Sequence, residues 1–172
     1  FIISCLKDDH AVNSFFNKFV KTSNFHKNSI IIDHSTISLR QIDFLSRSFK
    51  QRKIRFLDAP ITGGEEGAKK GSLSVMVGGT KPNFNKSKRI ISSYSKSITH
   101  MGKLGSGQLT KFTNQILICG ILYSISEAYL FSKKNNLDQK KIFNAIKNGA
   151  ANSWQFTNLS LIHISEPTRP AL

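Results

Sequence analysis

Short apolar runs alternate with amphipathic segments through the first part of this 172-residue chain, and this alternation constrains the fold more than any other feature. Strand-like apolar runs stand at residues 1–6, 29–36, 54–60, 72–79 and 98–102. The intervening segments 8–22, 38–53 and 81–96 carry apolar residues at helical spacing. Strands that alternate with helices predict an α/β domain with a largely parallel sheet.

The pattern changes at the glycine-rich stretch GKLGSGQ, residues 102–108. From Gln108 to about Lys133, apolar residues occupy nearly every side of a predicted helix, which indicates a helix buried among other helices. A second helix is predicted over Leu137 to Gly149, where the glycine ends it. The sequence therefore predicts an all-helical part after the α/β part.

The net charge of +15 at pH 7 would suit a polyanionic partner. However, the lysines are spread along the whole chain, and no nucleic-acid-binding motif accompanies them. The abundance of Lys, Asn, Ile and Phe is typical of an A/T-rich genome. We therefore expect no nucleic-acid partner, although a basic groove for an anionic substrate or cofactor is compatible with the charge.

Two cysteines and five histidines show no metal-ligand spacing, so no metal site is predicted. Cys5 and Cys119 both stand in apolar runs, and we interpret them as buried free thiols of a cytoplasmic protein. No uninterrupted apolar run reaches the ~18 residues that a membrane span needs, so no membrane association is expected.

The stretch DAPITGG, residues 58–64, turns sharply after a predicted strand. Gly63 and Gly64 allow positive φ and leave the backbone bare, and the hydroxyl of Thr62 stands beside them. Two N–H groups and a hydroxyl make a nest suited to a carboxylate. A tight turn that needs glycine and binds nothing explains the same residues, and the motif alone leaves both interpretations open.

The stretch GSGQLTKFTNQ, residues 105–115, opens the long predicted helix. Lys111 lies about one turn in, and Asn114 and Gln115 follow three and four positions later, on the same helical face. Because burial disfavours the charged form, an amine on an otherwise apolar helix has a lowered pKa, which readies it for proton transfer. The alternative from the residues alone is a lysine on the one solvated face of the helix.

Together the two motifs resemble those of one family, the β-hydroxyacid dehydrogenases, relatives of 3-hydroxyisobutyrate dehydrogenase and tartronate semialdehyde reductase. DAPITGGEEGAKKGSLSVMVGG and GSGQLTKFTNQ carry the resemblance, and DHSTIS at residues 33–38 supports it. The resemblance implies the C-terminal part of a Rossmann-type doubly wound sheet at residues 1–103, followed by the start of an all-helical domain at residues 104–158. It also implies NAD or NADP as the cofactor, a small carboxylate as the substrate, and a homo-oligomer for the full-length protein.

The family's pattern further implies roles for individual residues. Lys111 would be the general acid or base that acts on the substrate's hydroxyl or carbonyl oxygen. The substrate would be bound by Thr62, Gly63, Gly64, Asn114 and Gln115, and the cofactor would be contacted by Leu6, Lys7 and Thr36. Thr62 departs from the serine usual in the family, and Leu6-Lys7 departs from its Leu-Pro pair.

We expect this chain to lack both ends of the family's sequence. The phosphate-binding turn Gly-x-Gly-x-x-Gly does not occur here and would belong before Phe1, with the residue that separates NAD from NADP. LSLIHISEPTR, residues 159–169, resembles the translation of a sequencing adapter, so we interpret residues 159–172 as unnatural.

The expected function is that of an oxidoreductase, which transfers a hydride between NAD(P) and a small β-hydroxy acid or its semialdehyde. The part of the protein in this chain is expected to be inactive alone. The alternative function is a non-catalytic basic module that binds nucleic acid.

Overall fold

The computed structural model describes residues 1–22 and 29–158. They belong to two compact units, the first from Phe1 to Thr113 and the second from Asn114 onward. The adapter-like residues 159–172 lie outside the described residues.

All of the predicted strands and helices are present. The strands are β1 Ile2–Ser4, β2 Ile30–Asp33, β3 Arg55–Asp58, β4 Ile61–Thr62, β5 Leu73–Gly78 and β6 Ser95–Gly102. The helices are α1 Asp9–Thr22, α2 Leu39–Gln51, α3 Gly64–Lys69, α4 Lys81–Ile91, α5 Ser106–Lys134 and α6 Gln139–Ile146. The short elements β4 and α3 were not predicted, because glycines dominate the sequence around them.

The helices begin where side chains supply the missing hydrogen-bond acceptors. Ser38 caps α2 by accepting from the backbone N–H of Gln41, and Thr80 caps α4 one residue before its start. Pro82 in the first turn of α4 suits a position whose N–H has no helical partner. Asp138 caps α6 by accepting from two backbone N–H groups.

The sheet is mixed: most of its strand pairing is parallel, as expected, and the antiparallel exception lies at β5. Strands β1, β2 and β3 are parallel, but β5 pairs antiparallel with both β3 and β4, and β6 pairs parallel with β5. The physical reason is the length of the connection before β5. The six-residue α3 is too short for the crossover that parallel strands require, so the chain turns back on itself.

Helices cover both faces of the sheet, as the doubly wound prediction requires. Along β2, Ile31 packs into one buried cluster with residues of α1 and α2. Its neighbours Ile30 and Ile32 pack into a second cluster with residues of β5 and α4. Because successive side chains of a strand point to opposite faces, this division identifies two apolar layers, one on each side of the sheet.

Helix α5 is exposed where the sequence predicted a buried helix. Among its apolar side chains, Ile116 is 72% exposed, Leu117 is 63% exposed and Tyr123 is 70% exposed. Besides α5, the described residues of the second unit form only short helical segments such as the eight-residue α6, which are too little to enclose an apolar surface on every side. The apolar pattern was identified correctly, and the burial inferred from it was wrong for this chain.

Helix α5 also bears on the expectation that the chain has no membrane-spanning segment. Among the described residues, α5 is the one helix long and apolar enough to cross a membrane. Length and composition alone do not separate such a helix from the core helix of a globular domain.

The two cysteines are free, but neither is buried as predicted. Cys5 and Cys119 are both exposed. Cys5 directly follows β1, where the strand has already left the core, and Cys119 lies on the exposed stretch of α5. Apolar neighbours in sequence therefore misled the prediction at both positions.

Candidate active site

Lys111 reaches from helix α5 to the loop that holds the glycine pair. Its Nζ donates a hydrogen bond to the backbone carbonyl of Ile61 at 2.9 Å. The side chain is half-buried, and this burial lowers the pKa of the Lys111 ammonium. The Lys111 amine therefore lies against the carbonyl of the residue that precedes Thr62, next to the predicted carboxylate-binding turn.

The predicted carboxylate-binding turn, residues 62–64, forms the junction between β4 and α3. Thr62 is the last residue of β4, Gly63 has a φ of 130°, and Gly64 opens α3 with a φ of 63°. A Cβ added to Gly63 would meet Leu73 Cδ2 at 3.3 Å, so this position is both conformationally and sterically suited to glycine. Both glycines are exposed, which leaves their backbone open to a small ligand.

A buried carboxylate that the sequence reasoning did not single out joins β3 to α5. Asp58 Oδ1 accepts from the backbone N–H of Gly105 at 2.7 Å, and Oδ2 accepts from that of Gln108 at 2.9 Å. Asp58 is fully buried, and burial raises the pKa of its carboxyl to about 6 against these hydrogen bonds. The sequence feature that could have identified Asp58 is an acid at the end of an apolar strand, because a charge buried at such a position needs hydrogen-bond partners.

Gln108 makes a second connection from the start of α5, to the segment after β2. It is 0% exposed, its Nε2 donates to the carbonyl of Ser35 at 2.7 Å, and its Oε1 accepts from the N–H of Ile37 at 3.2 Å. The glycine-rich entry to α5 is thus hydrogen-bonded to residues at the ends of two strands, Asp58 of β3 and the segment after β2.

The predicted cofactor residues lie around the carboxyl ends of β1 and β2. The N–H of Leu6 donates to Ser35 Oγ at 2.8 Å, while Lys7 and Thr36 are exposed. Lys7 forms a surface ion pair with Asp8 at 3.6 Å. In open α/β sheets, ligands bind in the crevice outside the carboxyl ends of parallel strands, and these residues line that edge.

Beneath them lies Asp33, the last residue of β2. Its Oδ1 accepts from Ser4 Oγ at 2.8 Å and from Ser35 Oγ at 2.6 Å, whereas its buried Oδ2 has no hydrogen-bond partner. Burial raises the pKa of Asp33. A buried acceptor without a partner at the carboxyl edge of the sheet fits a site for a polar ligand such as a dinucleotide.

Asn114 and Gln115 belong to the second unit. Asn114 Nδ2 donates to Gln115 Oε1 at 3.0 Å, and Gln115 is exposed. Among residues 1–22 and 29–158, no group of three His, Cys, Asp or Glu side chains could hold a metal ion.

The comparisons with known proteins first define the class. Residues 1–102 match the family model for the NAD binding domain of 6-phosphogluconate dehydrogenase. Residues 105–166 match the model described as NAD-binding of NADP-dependent 3-hydroxyisobutyrate dehydrogenase. The class is therefore that of dehydrogenases that bind NAD or NADP. Within it, the chain belongs to the β-hydroxyacid dehydrogenase family.

Individual relatives agree with this assignment. The chain is 37% identical to 2-hydroxy-3-oxopropionate reductase of Escherichia coli, over 74% of this chain and 44% of that protein. It is 30% identical to mitochondrial 3-hydroxyisobutyrate dehydrogenase of Drosophila melanogaster, over 90% of this chain and 47% of that protein. The chain thus spans about half the length of the curated relatives it matches.

A solved structure shows the same architecture. Mycobacterium tuberculosis 3-hydroxyisobutyrate dehydrogenase, determined with L-serine, superposes with a TM-score of 0.77 at 26% identity. The superposition covers 88% of this chain and 52% of the other.

Proposed function

We propose that the protein containing this chain is an oxidoreductase that transfers a hydride between NAD(P) and a small β-hydroxy acid or its semialdehyde. The observation that carries the proposal is the hydrogen bond from Lys111 Nζ to the carbonyl of Ile61. It brings an amine with a lowered pKa next to the Thr62–Gly64 turn. A proton-transferring group beside a carboxylate nest is what oxidation of a hydroxy acid needs.

In the proposed reaction, the substrate carboxylate accepts hydrogen bonds from the Thr62 hydroxyl and from the N–H groups of Gly63 and Gly64. Neutral Lys111 takes the proton from the substrate hydroxyl as the C–O bond becomes C=O, and its ammonium returns a proton to the oxygen in the reverse direction. The nicotinamide, when bound, accepts or supplies the hydride. Asn114 and Gln115 orient the reacting group.

For the cofactor, we propose contacts from Leu6, Lys7 and Thr36. Their support is their position just after the carboxyl ends of β1 and β2, at the same edge of the sheet as Asp33 with its unpaired oxygen. We also propose that the full-length protein is a cytoplasmic homo-oligomer, which the family resemblance and the exposed apolar residues of the second unit support.

The test is Lys111→Ala in the full-length protein, assayed with 3-hydroxyisobutyrate plus NAD or NADP and with 2-hydroxy-3-oxopropionate plus NADH or NADPH. We expect kcat to fall by about 10²–10⁴-fold, with the dissociation constant of the cofactor nearly unchanged. The matched control is Lys133→Ala, an exposed lysine near the end of the same helix, which should retain full activity. Unchanged turnover in Lys111→Ala would remove Lys111 from the mechanism.

A second candidate function is polyanion binding, and one specific observation favours it. An open cleft in the first unit is lined by Lys50, Lys53, Arg55 and Lys103, with no acidic residue among its lining. Binding of single-stranded DNA that weakens steeply with salt, in a full-length protein inactive on both hydroxy-acid probes, would support this function over the dehydrogenase.

A further inference from the structure

Asp58 and Lys111 are linked through the first turns of α5. The Asp58 carboxylate accepts from the backbone N–H groups of Gly105 and Gln108 at 2.7 and 2.9 Å, and Gly107 N–H also donates to it. Lys111 follows Gln108 by three residues, less than one helical turn. We propose that Asp58 is a positioning residue, which fixes the start of α5 and thereby the place of the Lys111 amine beside Thr62. This inference rests on the proposed function of Lys111.

The two attachments of α5 start from one short segment, residues 58–61. Asp58 holds the first turn of the helix, and the carbonyl of Ile61 receives the Lys111 ammonium one turn later. A movement of the first turn relative to this segment would therefore displace the amine from the carboxylate nest. A displacement of about 1 Å at a reacting group can cost 10²-fold in rate.

The segment itself is held rigidly from the sheet. The N–H of Ala59 donates to the carbonyl of Asp33 at 2.7 Å, and the carbonyl of Pro60 accepts from the N–H of Met76 at 3.0 Å. The ring of His34 adds a hydrogen bond between Nδ1 and the carbonyl of Ala59 at 2.5 Å. Asp58 thus connects the helix to a fixed point.

The backbone contact is too close for any side chain at Gly107. A Cβ there would meet the carbonyl oxygen of Met76 at 2.5 Å and that of Asp58 at 2.8 Å. Glycine at this position allows α5 to approach β3 closely enough for both carboxylate oxygens to accept N–H groups. The acid and the glycine therefore act together, and this accounts for the GSGQ sequence at residues 105–108.

The carboxylate is specific for this role because both of its oxygens accept. In Asp58→Asn, one oxygen becomes an NH₂ group that faces a backbone donor, so one end of the attachment is lost while the volume is kept. Removal of a partner from a buried hydrogen-bonded group leaves the other group unsatisfied.

The experiment compares Asp58→Asn with Phe49→Leu in the full-length protein. Phe49 lies on α2 in the buried cluster on one face of the sheet, so its truncation lowers core stability without removing a hydrogen bond between Asp58 and the start of α5. Activity is measured with 3-hydroxyisobutyrate plus NAD or NADP and with 2-hydroxy-3-oxopropionate plus NADH or NADPH. In parallel, the pKa of Lys111 is measured by NMR after reductive ¹³C-methylation, with Lys111→Arg to assign its signal.

We expect Asp58→Asn to lower kcat by about 10–10²-fold, with KM for the cofactor changed by less than about twofold. The pKa of Lys111 should rise towards its ordinary value as the amine leaves its half-buried place, while Phe49→Leu leaves both quantities unchanged. A folded Asp58→Asn protein with wild-type kcat and wild-type Lys111 pKa would overturn the inference.

The failure of the proposed function gives a different result. In that case the wild-type protein turns over neither probe, and the Lys111 pKa alone decides whether Asp58 positions the amine. If Asp58→Asn does not fold, Gly107→Ala perturbs the same contact from the helix side, and an unchanged Lys111 pKa in that variant would equally overturn the inference.

Discussion

The two units of this chain use similar apolar residues with opposite results. In the unit from Phe1 to Thr113, Ile31, Ile32 and Leu57 are 0% exposed, enclosed between the sheet and helices on both of its faces. In the described part of the unit from Asn114 onward, only Ser132 and Phe143 are buried, while Leu117 and Phe131 are exposed. An apolar pattern therefore specifies a surface to be covered, and the elements available to cover it decide whether a core forms.

The largest test of this comparison replaces one leucine in each unit. Leu57→Ala should lower the free energy of unfolding by about 2–5 kcal/mol, because it leaves a cavity in a fully enclosed cluster. Leu117→Ala, at 63% exposure, should change it by less than about 0.5 kcal/mol. Denaturant unfolding of both variants measures the difference, and equal losses would mean that Leu117 is covered in solution.

The second test uses pH to isolate a buried acid of the first unit. Burial raises the pKa of Asp58 from 3.8 to about 6, so between these values the folded chain holds a proton that the unfolded chain has released. The free energy of unfolding should therefore fall as pH rises from about 4 to about 6, by about 3 kcal/mol from this group.

Asp33 contributes in the same direction, because burial raises its pKa as well. Subtraction of the Asp58→Asn profile from the wild-type profile isolates the part due to Asp58. Denaturant midpoints measured at intervals of pH provide both curves, and parallel profiles would show that Asp58 does not titrate differently in the folded protein.

The smallest test compares two glycines of the same helix. Gly107→Ala should destabilise the first unit by about 1–3 kcal/mol, because its Cβ would lie 2.5 Å from the carbonyl oxygen of Met76. Gly120→Ala should stabilise the protein by about 0.5–1 kcal/mol, because no atom lies within 4 Å of its added Cβ and alanine favours a helix. Thermal unfolding of both variants checks the opposite signs; a loss at Gly120 would indicate that a packed surface covers it.

Much of the fold could be predicted from sequence, because local pattern and local structure coincide there. The triple isoleucine of β2, the spacing of Ile42, Leu45 and Phe49 in α2, and Pro82 at the start of α4 each carry their own signal. The direction of β5 could not be predicted in the same way. It depends on the six-residue α3, whose glycine-rich sequence resembles a loop.

The residues of the candidate site likewise fall into those that the sequence identified and those that it did not. Lys111, Thr62 and the glycine pair were identified from the residues and from the family resemblance, and these assignments remain predictions of function. Asp58 and Gln108 were missed because their partners lie 47 and 73 residues away in sequence, at Gly105 and Ser35. No periodicity or motif in the sequence predicts a hydrogen bond between residues so far apart.

The sequence by itself determined which of the longer segments are strands and helices, the family to which the chain belongs, and the presence of an amine and a bare backbone turn suited to a carboxylate. These properties follow from residue types at short spacing. Only the tertiary structure decided that β5 pairs antiparallel with β3, that α5 is exposed beyond Thr113, and that Asp58 accepts hydrogen bonds from the first residues of the segment that carries Lys111. Each of these depends on which distant groups come into contact, and contact is a property of the folded chain.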